Sequence, residues 1–248
     1  MENFMVFDTE TTSIDKPFCY NIGYVIANEN EILVQKSFVV EQIWHNLPLF
    51  KTAYYADKRP LYVSAMKARK TVLDKFGYIC REMARDIKQH NVKVAFAYNS
   101  PFDEKVFNFN CDWFKCLNPF DTVIIKDIRA FAHKYIVNED YMQFCEENEL
   151  FTESGNYSTT AETMFRYISN EIDFIEDHTA LSDSIIELAI LRKCLYRGAT
   201  LDEDLIAKKS IVRQVEKTLH IQTAEQIDYY FDYTNIRINK DKTEIKLK

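Results

Sequence analysis

Acidic side chains stand where one predicted strand ends. Asp8 and Glu10 follow the apolar run at residues 4–7, with one residue between them. Because side chains two positions apart on a strand point to the same face, these two carboxylates should converge. Such a pair repels unless a cation lies between its members, and Mg²⁺ and Mn²⁺ prefer oxygen ligands. Taken alone, the same residues also fit a surface turn after a strand.

Three further residues could join this pair. Asp103 follows the strand predicted at 92–98 and begins the next helix, where an acid is also an ordinary first-turn residue. His178 and Asp183 lie near the start of the helix predicted at 178–196. Their spacing of five does not place them on one helical stripe, so His178 would reach the cleft from the preceding loop. The alternative is a capping or exposed histidine.

The chemistry that suits these residues is hydrolysis of a phosphate ester. Two divalent ions about 3.5–4 Å apart can stabilise both the attacking and the leaving oxygen. Four carboxylates offset the charge of the ions, and a histidine that titrates near neutral pH suits proton abstraction from water. A nuclease and a metal-dependent phosphatase would both use such acids, but only a nuclease needs an aromatic surface for a nucleic acid end.

The predicted elements alternate between strands and helices. Strands are predicted at 4–7, 20–27, 31–40 and 92–98, helices at 61–90, 102–109, 161–169 and 178–196, and a loop at 151–160. Residues 28–30 have turn chemistry, so the first three strands should be antiparallel neighbours. Residues 121–137 are ambiguous between strand and helix. Gly198 should end the last helix. This order predicts an α/β protein with a mixed sheet and helices on its faces.

The composition and net charge restrict the possible functions less than the motifs do. The 248 residues are 47% hydrophobic and carry a formal net charge of -7. That charge counts against a simple nucleic-acid binder unless the acids lie where cations bind. Cys111 and Cys116 have four residues between them and no histidine nearby, so the six cysteines suit reduced thiols in a cytoplasmic protein. We find no export signal and no apolar run near the ~20 residues of a membrane span.

Three motifs resemble those of the DEDDh exonucleases. They are D-x-E-T at 8–11, N-x-x-F-D at 99–103 and H-x-x-x-x-D at 178–183. Residues 127–132 resemble the D-T-x-x-x-A stretch of that family, with Ile128 for threonine, and Ser184 replaces the commoner alanine. The tyrosine variant of the superfamily would need tyrosine near position 179, which is threonine here. The resemblance covers about residues 4–197.

The resemblance implies a ribonuclease-H-like fold, in which three antiparallel strands precede parallel strands and helices cover both faces. It implies an exonuclease domain at 1–198 and two Mg²⁺ or Mn²⁺ ions. Asp8 would contact both ions, Glu10 and Asp183 would complete one, and Asp103 would help hold the other. His178 would act as general base. Residues 199–248 form an extension of unassigned role, which could pack on the nuclease domain.

The implied activity is 3′→5′ hydrolysis of single-stranded nucleic acid, DNA in preference to RNA, with release of nucleoside 5′-monophosphates. Thr11, Thr12, Asn99 and Phe102 would contact the terminal nucleotide, although Phe102 equally suits core packing. The alternative is an exonuclease-like subunit that docks on a polymerase or replication protein through residues 199–248. The composition, rich in Lys, Ile, Asn and Tyr, is typical of a low-GC genome such as that of a phage. The oligomeric state is left open.

Overall fold

The computed structural model describes residues 2–213 and three strands at 217–220, 236–238 and 244–247. The chain divides into two compact units. The first comprises Met1–Leu150 with Ser158–Lys209, and the second comprises Phe151–Tyr157 with Ser210–Lys248. The separate role assigned to residues 199–248 stays a prediction. Within the described residues, no helix is both long enough and apolar enough to cross a bilayer.

A six-stranded mixed sheet forms the centre of the first unit. Its strands are β1 (Phe4–Thr11), β2 (Cys19–Ala27), β3 (Ile32–Val40), β4 (Val72–Asp74), β5 (Val94–Ala97) and β6 (Ile124–Asp127). Their order across the sheet is β4-β3-β2-β1-β5-β6. β1, β2 and β3 pair antiparallel, whereas β4, β5 and β6 each pair parallel with a neighbour. The predicted α/β sheet, with three antiparallel strands first, is therefore confirmed.

Nine helices surround this sheet in the part of the chain that the structure describes. They are α1 (Glu41–Trp44), α2 (Leu47–Phe50), α3 (Arg59–Lys67), α4 (Phe76–Gln89), α5 (Ser100–Phe114), α6 (Ile128–Tyr135), α7 (Glu139–Glu147), α8 (Ala161–Ser169) and α9 (Ala180–Tyr196). A short 3-10 turn at Ala56–Lys58 precedes α3. The ambiguous segment at 121–137 contains a strand, β6, followed directly by a helix, α6.

One element prediction was wrong. Residues 61–90 do not form a single helix, because α3 ends at Lys67 and Arg69 adopts a left-handed φ of 57°. The chain then forms β4, in which Val72 pairs with Phe38 of β3. Val72 is β-branched and fits an edge strand as well as it fits an apolar helical stripe. The helical spacing of apolar residues in the sequence therefore continued past the point where α3 ends and β4 begins.

Strand β2 lies in the middle of the core, and all nine of its residues are buried. Gly23 on this strand allows α9 to approach at backbone distance. A Cβ added at Gly23 would lie 2.0 Å from the Leu181 amide nitrogen and 2.2 Å from the Ala180 carbonyl carbon. Such distances are far below van der Waals contact, so only glycine fits here without moving the helix.

Hydrogen bonds fix the first turn of α9 on the same strand. The Asn21 side-chain oxygen accepts a bond from the Ala180 amide at 2.9 Å, which satisfies one of the unpaired amides of a helix start. Ser184 donates to the carbonyls of Gly23 at 3.1 Å and Ala180 at 2.7 Å. The serine that departs from the family motif therefore ties α9 to β2, directly beside Asp183.

In the second unit, the strands β7 (Lys217–His220), β8 (Ile236–Ile238) and β9 (Glu244–Leu247) form a small sheet in the order β7-β9-β8. β9 pairs antiparallel with both neighbours. The short, charged and alternating sequence at the end of the chain favours a hairpin around residues 240–242 or a frayed tail, and residues 239–243 lie outside the described residues.

We predict that Gly23→Ala destabilises the protein by at least about 1–3 kcal/mol, because the new methyl group collides with the backbone of α9. Chemical denaturation followed by circular dichroism measures this loss. Gly198→Ala is the control: its added Cβ has open space around it, and its φ of +94° leaves only backbone strain. Equal stability of Gly23→Ala and wild type would contradict the described contact.

Candidate active site

Three carboxylates meet where the end of β1 faces the first turn of α9. Asp8 and Glu10 come from β1, and Asp183 comes from α9. Each offers an oxygen atom, and these atoms lie within 4.8 Å of one another. One oxygen of Asp183 is buried and has no hydrogen-bond partner. This set of oxygen donors fits a hard divalent cation, which prefers carboxylate ligands.

Asp103 stands beside this group on α5, with only 3% of its surface exposed. It accepts a hydrogen bond of 2.6 Å from the hydroxyl of Thr9, the residue between Asp8 and Glu10. The negative charge of Asp8 repels that of Asp103. Asp103 is not one of the three residues within 4.8 Å, so it adjoins the group on the Asp8 side.

Asp127 determines where α5 begins. Its carboxylate accepts hydrogen bonds from the amide of Asn99 at 2.8 Å and from the amide of Arg129 at 2.9 Å. The first bond fixes Asn99, which precedes α5 with a left-handed φ of 65°, and the second caps α6. Asp127 thereby links the strand β6 to the helix that carries Asp103.

Burial and mutual repulsion shift these acids toward their protonated forms when no cation is present. Burial raises the pKa of Asp8 to about 7. Burial and then the charge of Asp8 raise the pKa of Glu10 to about 9 and that of Asp183 to about 10. The pKa of Asp103 is raised well above its usual range, again by burial first and Asp8 second. A bound cation would reverse this balance by favouring the charged forms.

A fifth acid, Glu187, was missed by the sequence analysis. It lies one turn after Asp183 on α9 and is 3% exposed, and one of its carboxyl oxygens has no hydrogen-bond partner. Burial raises its pKa well above the usual value, and the charges of Asp8, Asp103 and Asp183 act in the same direction. The spacing of four from Asp183 places both side chains on one helical face, which could have revealed it.

His178 lies in the loop before α9 and adopts a left-handed φ of 49°. Its ring stacks on Tyr55, with ring centres 4.3 Å apart and planes 13° apart. Its Nδ1 lies 3.7 Å from the carboxylate of Glu176. Burial and the charge of Lys58 lower the pKa of His178, so the imidazole is neutral at neutral pH.

Two tyrosines lie near the acids and His178. Tyr55 stacks on His178, and burial, followed by the charge of Glu10, raises its pKa to about 12. Tyr20 contacts the acids directly, since its hydroxyl donates to Glu10 at 3.4 Å. Neither tyrosine belongs to a motif, and both come close to the acids only through the fold.

The four residues predicted to contact a nucleotide occupy different environments. Thr11 is half-buried and donates to the Ser13 carbonyl, and Asn99 is exposed. The amide of Thr12 already donates to the Phe18 carbonyl at 3.0 Å, so it is not free for a ligand. Phe102 is half-buried and packs against the core. Their role in substrate binding stays a prediction.

No protein-family model matches the sequence, and a search of curated proteins finds no match. Solved structures do match. The nuclease domain of 3′hExo, a DEDDh family member bound to rAMP, is 15% identical with a TM-score of 0.54, over 83% of this chain and 98% of that domain. The fold is that of the DEDDh exonucleases.

Exonuclease I of E. coli shares this DEDDh fold. Its complex with a dT13 oligonucleotide is 15% identical with a TM-score of 0.51, over 79% of this chain. Its apo form is 16% identical with a TM-score of 0.51, over 80% of this chain. The matched region spans only 42% and 43% of those chains. In the present chain, all four predicted acids lie around the end of β1.

We predict that the metal-free protein loses stability as pH rises from about 5 to about 8. The folded-state pKa values of Asp8, Glu10 and Asp183 lie above their unfolded values, so the folded state binds more protons over this range. The free energy of unfolding, measured with urea in EDTA, should therefore fall with pH, and Mg²⁺ should restore it at the alkaline end.

The same titration in Asp8→Asn provides the comparison. This substitution removes one charge and its repulsion on the other acids, so the fall with pH should be shallower. Equal slopes in the variant and the wild type would show that these carboxylates do not interact as described.

Proposed function

We propose that this protein is a metal-dependent 3′→5′ exonuclease that acts on single-stranded nucleic acid and releases nucleoside 5′-monophosphates. One observation carries the proposal. Oxygen atoms of Asp8, Glu10 and Asp183 lie within 4.8 Å of one another on a DEDDh fold, and Asp103 adjoins them. The four acids of the family motifs thus lie together, although they are distant in the sequence.

Two divalent ions, Mg²⁺ or Mn²⁺, would be held by these acids. Glu10 and Asp183 would bind one ion, Asp103 the other, and Asp8 both. The position of Asp8 supports this division, because it belongs to the group of three and also repels Asp103. When bound, such ions stabilise the charge that builds up on the phosphate during hydrolysis.

His178 would take the proton from the attacking water. Two features support this role. Its lowered pKa leaves a nitrogen free to accept a proton at neutral pH, and the stack on Tyr55 orients its ring. Glu176, 3.7 Å from Nδ1, can then stabilise the imidazolium that results. Tyr55 would be a positioning residue in this scheme.

The terminal nucleotide would contact Thr11, Thr12, Asn99 and Phe102. The partial exposure of Phe102 leaves part of its ring available for base stacking, while the rest packs on the core. Since the Thr12 amide is already bonded, contact from this residue would come from another of its atoms. DNA is the proposed substrate, supported by the dT13 oligonucleotide in the Exonuclease I complex; the rAMP in 3′hExo makes RNA the alternative to test.

We predict that purified protein with Mn²⁺ converts a 5′-labelled single-stranded DNA oligonucleotide into a ladder of shortened labelled products. Asp8→Asn should lose nearly all activity, because it removes a ligand common to both ions. His178→Ala should lower kcat by about 10²-fold, the usual contribution of a general base. Denaturing gels resolve the ladder, and the rate of product formation gives kcat.

Asp140→Asn is the matched control, since this aspartate is exposed on α7. It should retain wild-type activity. Immediate release of the labelled nucleotide would indicate the opposite polarity, and faster digestion of an RNA of the same sequence would overturn the DNA assignment. Complete inactivity of well-folded protein, together with binding to a polymerase, would favour a docking subunit over an enzyme. Residues 199–248 are the part of the chain that would serve such docking.

A further inference from the structure

Three cysteine thiols form a cluster that uses none of the acids described above. Cys80 comes from α4, Cys111 from the last turn of α5, and Cys116 from the segment after α5. Their sulfur atoms all lie within 4.8 Å of one another, and none is in a disulfide. We call these three residues the cysteine cluster. The sequence spacing gave only the pair Cys111 and Cys116, and the fold adds the third sulfur.

The backbone places Cys116 firmly in this cluster. Lys115 ends α5 with a left-handed φ of 55°, which turns the chain back on itself. The amide of Cys116 then donates to the Cys111 carbonyl at 3.1 Å. On the opposite side, a Cβ added at Gly77 would lie 3.3 Å from the Cβ of Cys116, so α4 and this turn are closely packed. The sulfur positions therefore follow from main-chain geometry rather than from long, mobile side chains.

The cluster opens onto a groove with a volume of about 810 Å³. Cys80 and Cys111 are buried, while Cys116 is half-buried. The charged residues that line the groove are Lys75, Arg81, Lys115 and Asp112. Three of these charges are positive and one is negative.

The arrangement matches the geometry of a thiolate metal site. Zinc–sulfur bonds are about 2.3 Å long, so sulfurs around a tetrahedral zinc ion stand roughly 3.8 Å apart. The upper limit of 4.8 Å on the sulfur separations lies within about 1 Å of this value. Hydrogen bonds with the other two thiols lower the pKa of Cys111, whereas the hydrogen bond with Cys111 raises the pKa of Cys80 and burial raises that of Cys116, so a bound cation would displace thiol protons.

We propose that the cysteine cluster is a binding site for a thiophilic divalent cation of the Zn²⁺ type, with three thiolate ligands and a water molecule from the groove as the fourth. Binding forms three metal–sulfur bonds and releases three thiol protons to the solvent, so no oxidant or reductant is required. The soft sulfur donors of this site prefer a different class of cation from the carboxylate site, which suits hard cations. The proposal stands independently of the nuclease activity.

A disulfide is the competing chemistry for the same residues. Three sulfurs within 4.8 Å of one another leave one thiol unpaired whenever two are oxidised, whereas a cation engages all three. The reduced surroundings expected for the chain also favour thiolate ligation over a disulfide. The experiment below distinguishes the two outcomes.

We predict that reduced full-length protein binds one equivalent of Co²⁺ at this cluster in the presence of saturating Mg²⁺, which fills the carboxylate site. Thiolate-to-cobalt charge-transfer absorption in the near ultraviolet should appear and should vanish when Zn²⁺ displaces Co²⁺. Zn²⁺ should also slow the reaction of Cys116, the half-buried member of the cluster, with a thiol reagent. Cys116→Ser, chosen because this residue is half-buried, should weaken Co²⁺ binding by at least about 10-fold.

Cys145→Ala is the control, since Cys145 lies on α7 outside the cluster. It should retain the charge-transfer band, and Cys116→Ser should retain nuclease activity with Mg²⁺. The proposal is overturned if wild type shows no such band, if Cys116→Ser binds Co²⁺ as tightly as wild type, or if mass spectrometry finds a disulfide and no bound metal. These metal-binding measurements do not depend on nuclease activity, so failure of the nuclease proposal would leave them unchanged.

Discussion

Repulsion among carboxylates is the constraint on which the rest of this structure depends. Asp8, Glu10 and Asp183 approach within 4.8 Å and share a largely buried volume with Asp103 and Glu187. A fold that brings such groups together loses stability unless they take up protons or bind cations. Their supporting structure is correspondingly rigid, with a buried strand, a helix at backbone distance from Gly23, and capping bonds from Asn21 and Asp127.

Much of this arrangement could be predicted from the sequence, because the acids follow local rules. Alternation along β1 places Asp8 and Glu10 on one face, and an α/β order of elements brings strand ends and helix starts together. The antiparallel start of the sheet followed from the turn chemistry at residues 28–30. The catalytic and substrate-binding roles given to the site residues remain a proposal.

What the sequence did not reveal depends on contacts between distant segments. Tyr55 reaches His178 across more than a hundred residues, and no local pattern marks it. Cys80 joins Cys111 and Cys116 only because α4 packs beside α5. The false helix at 61–90 had a different cause. Apolar spacing continued through β4, and a left-handed residue, Arg69, ended α3 without a glycine or proline to signal it.

Both edge strands of the central sheet are short. β4 has three residues and β6 has four, whereas β1, β2 and β3 have eight or nine. A short edge offers few unpaired main-chain groups to another chain, so intermolecular strand addition gains little hydrogen bonding. The long apolar strands are enclosed between these edges. The sheet is thereby protected against the aggregation that a long exposed edge strand would promote.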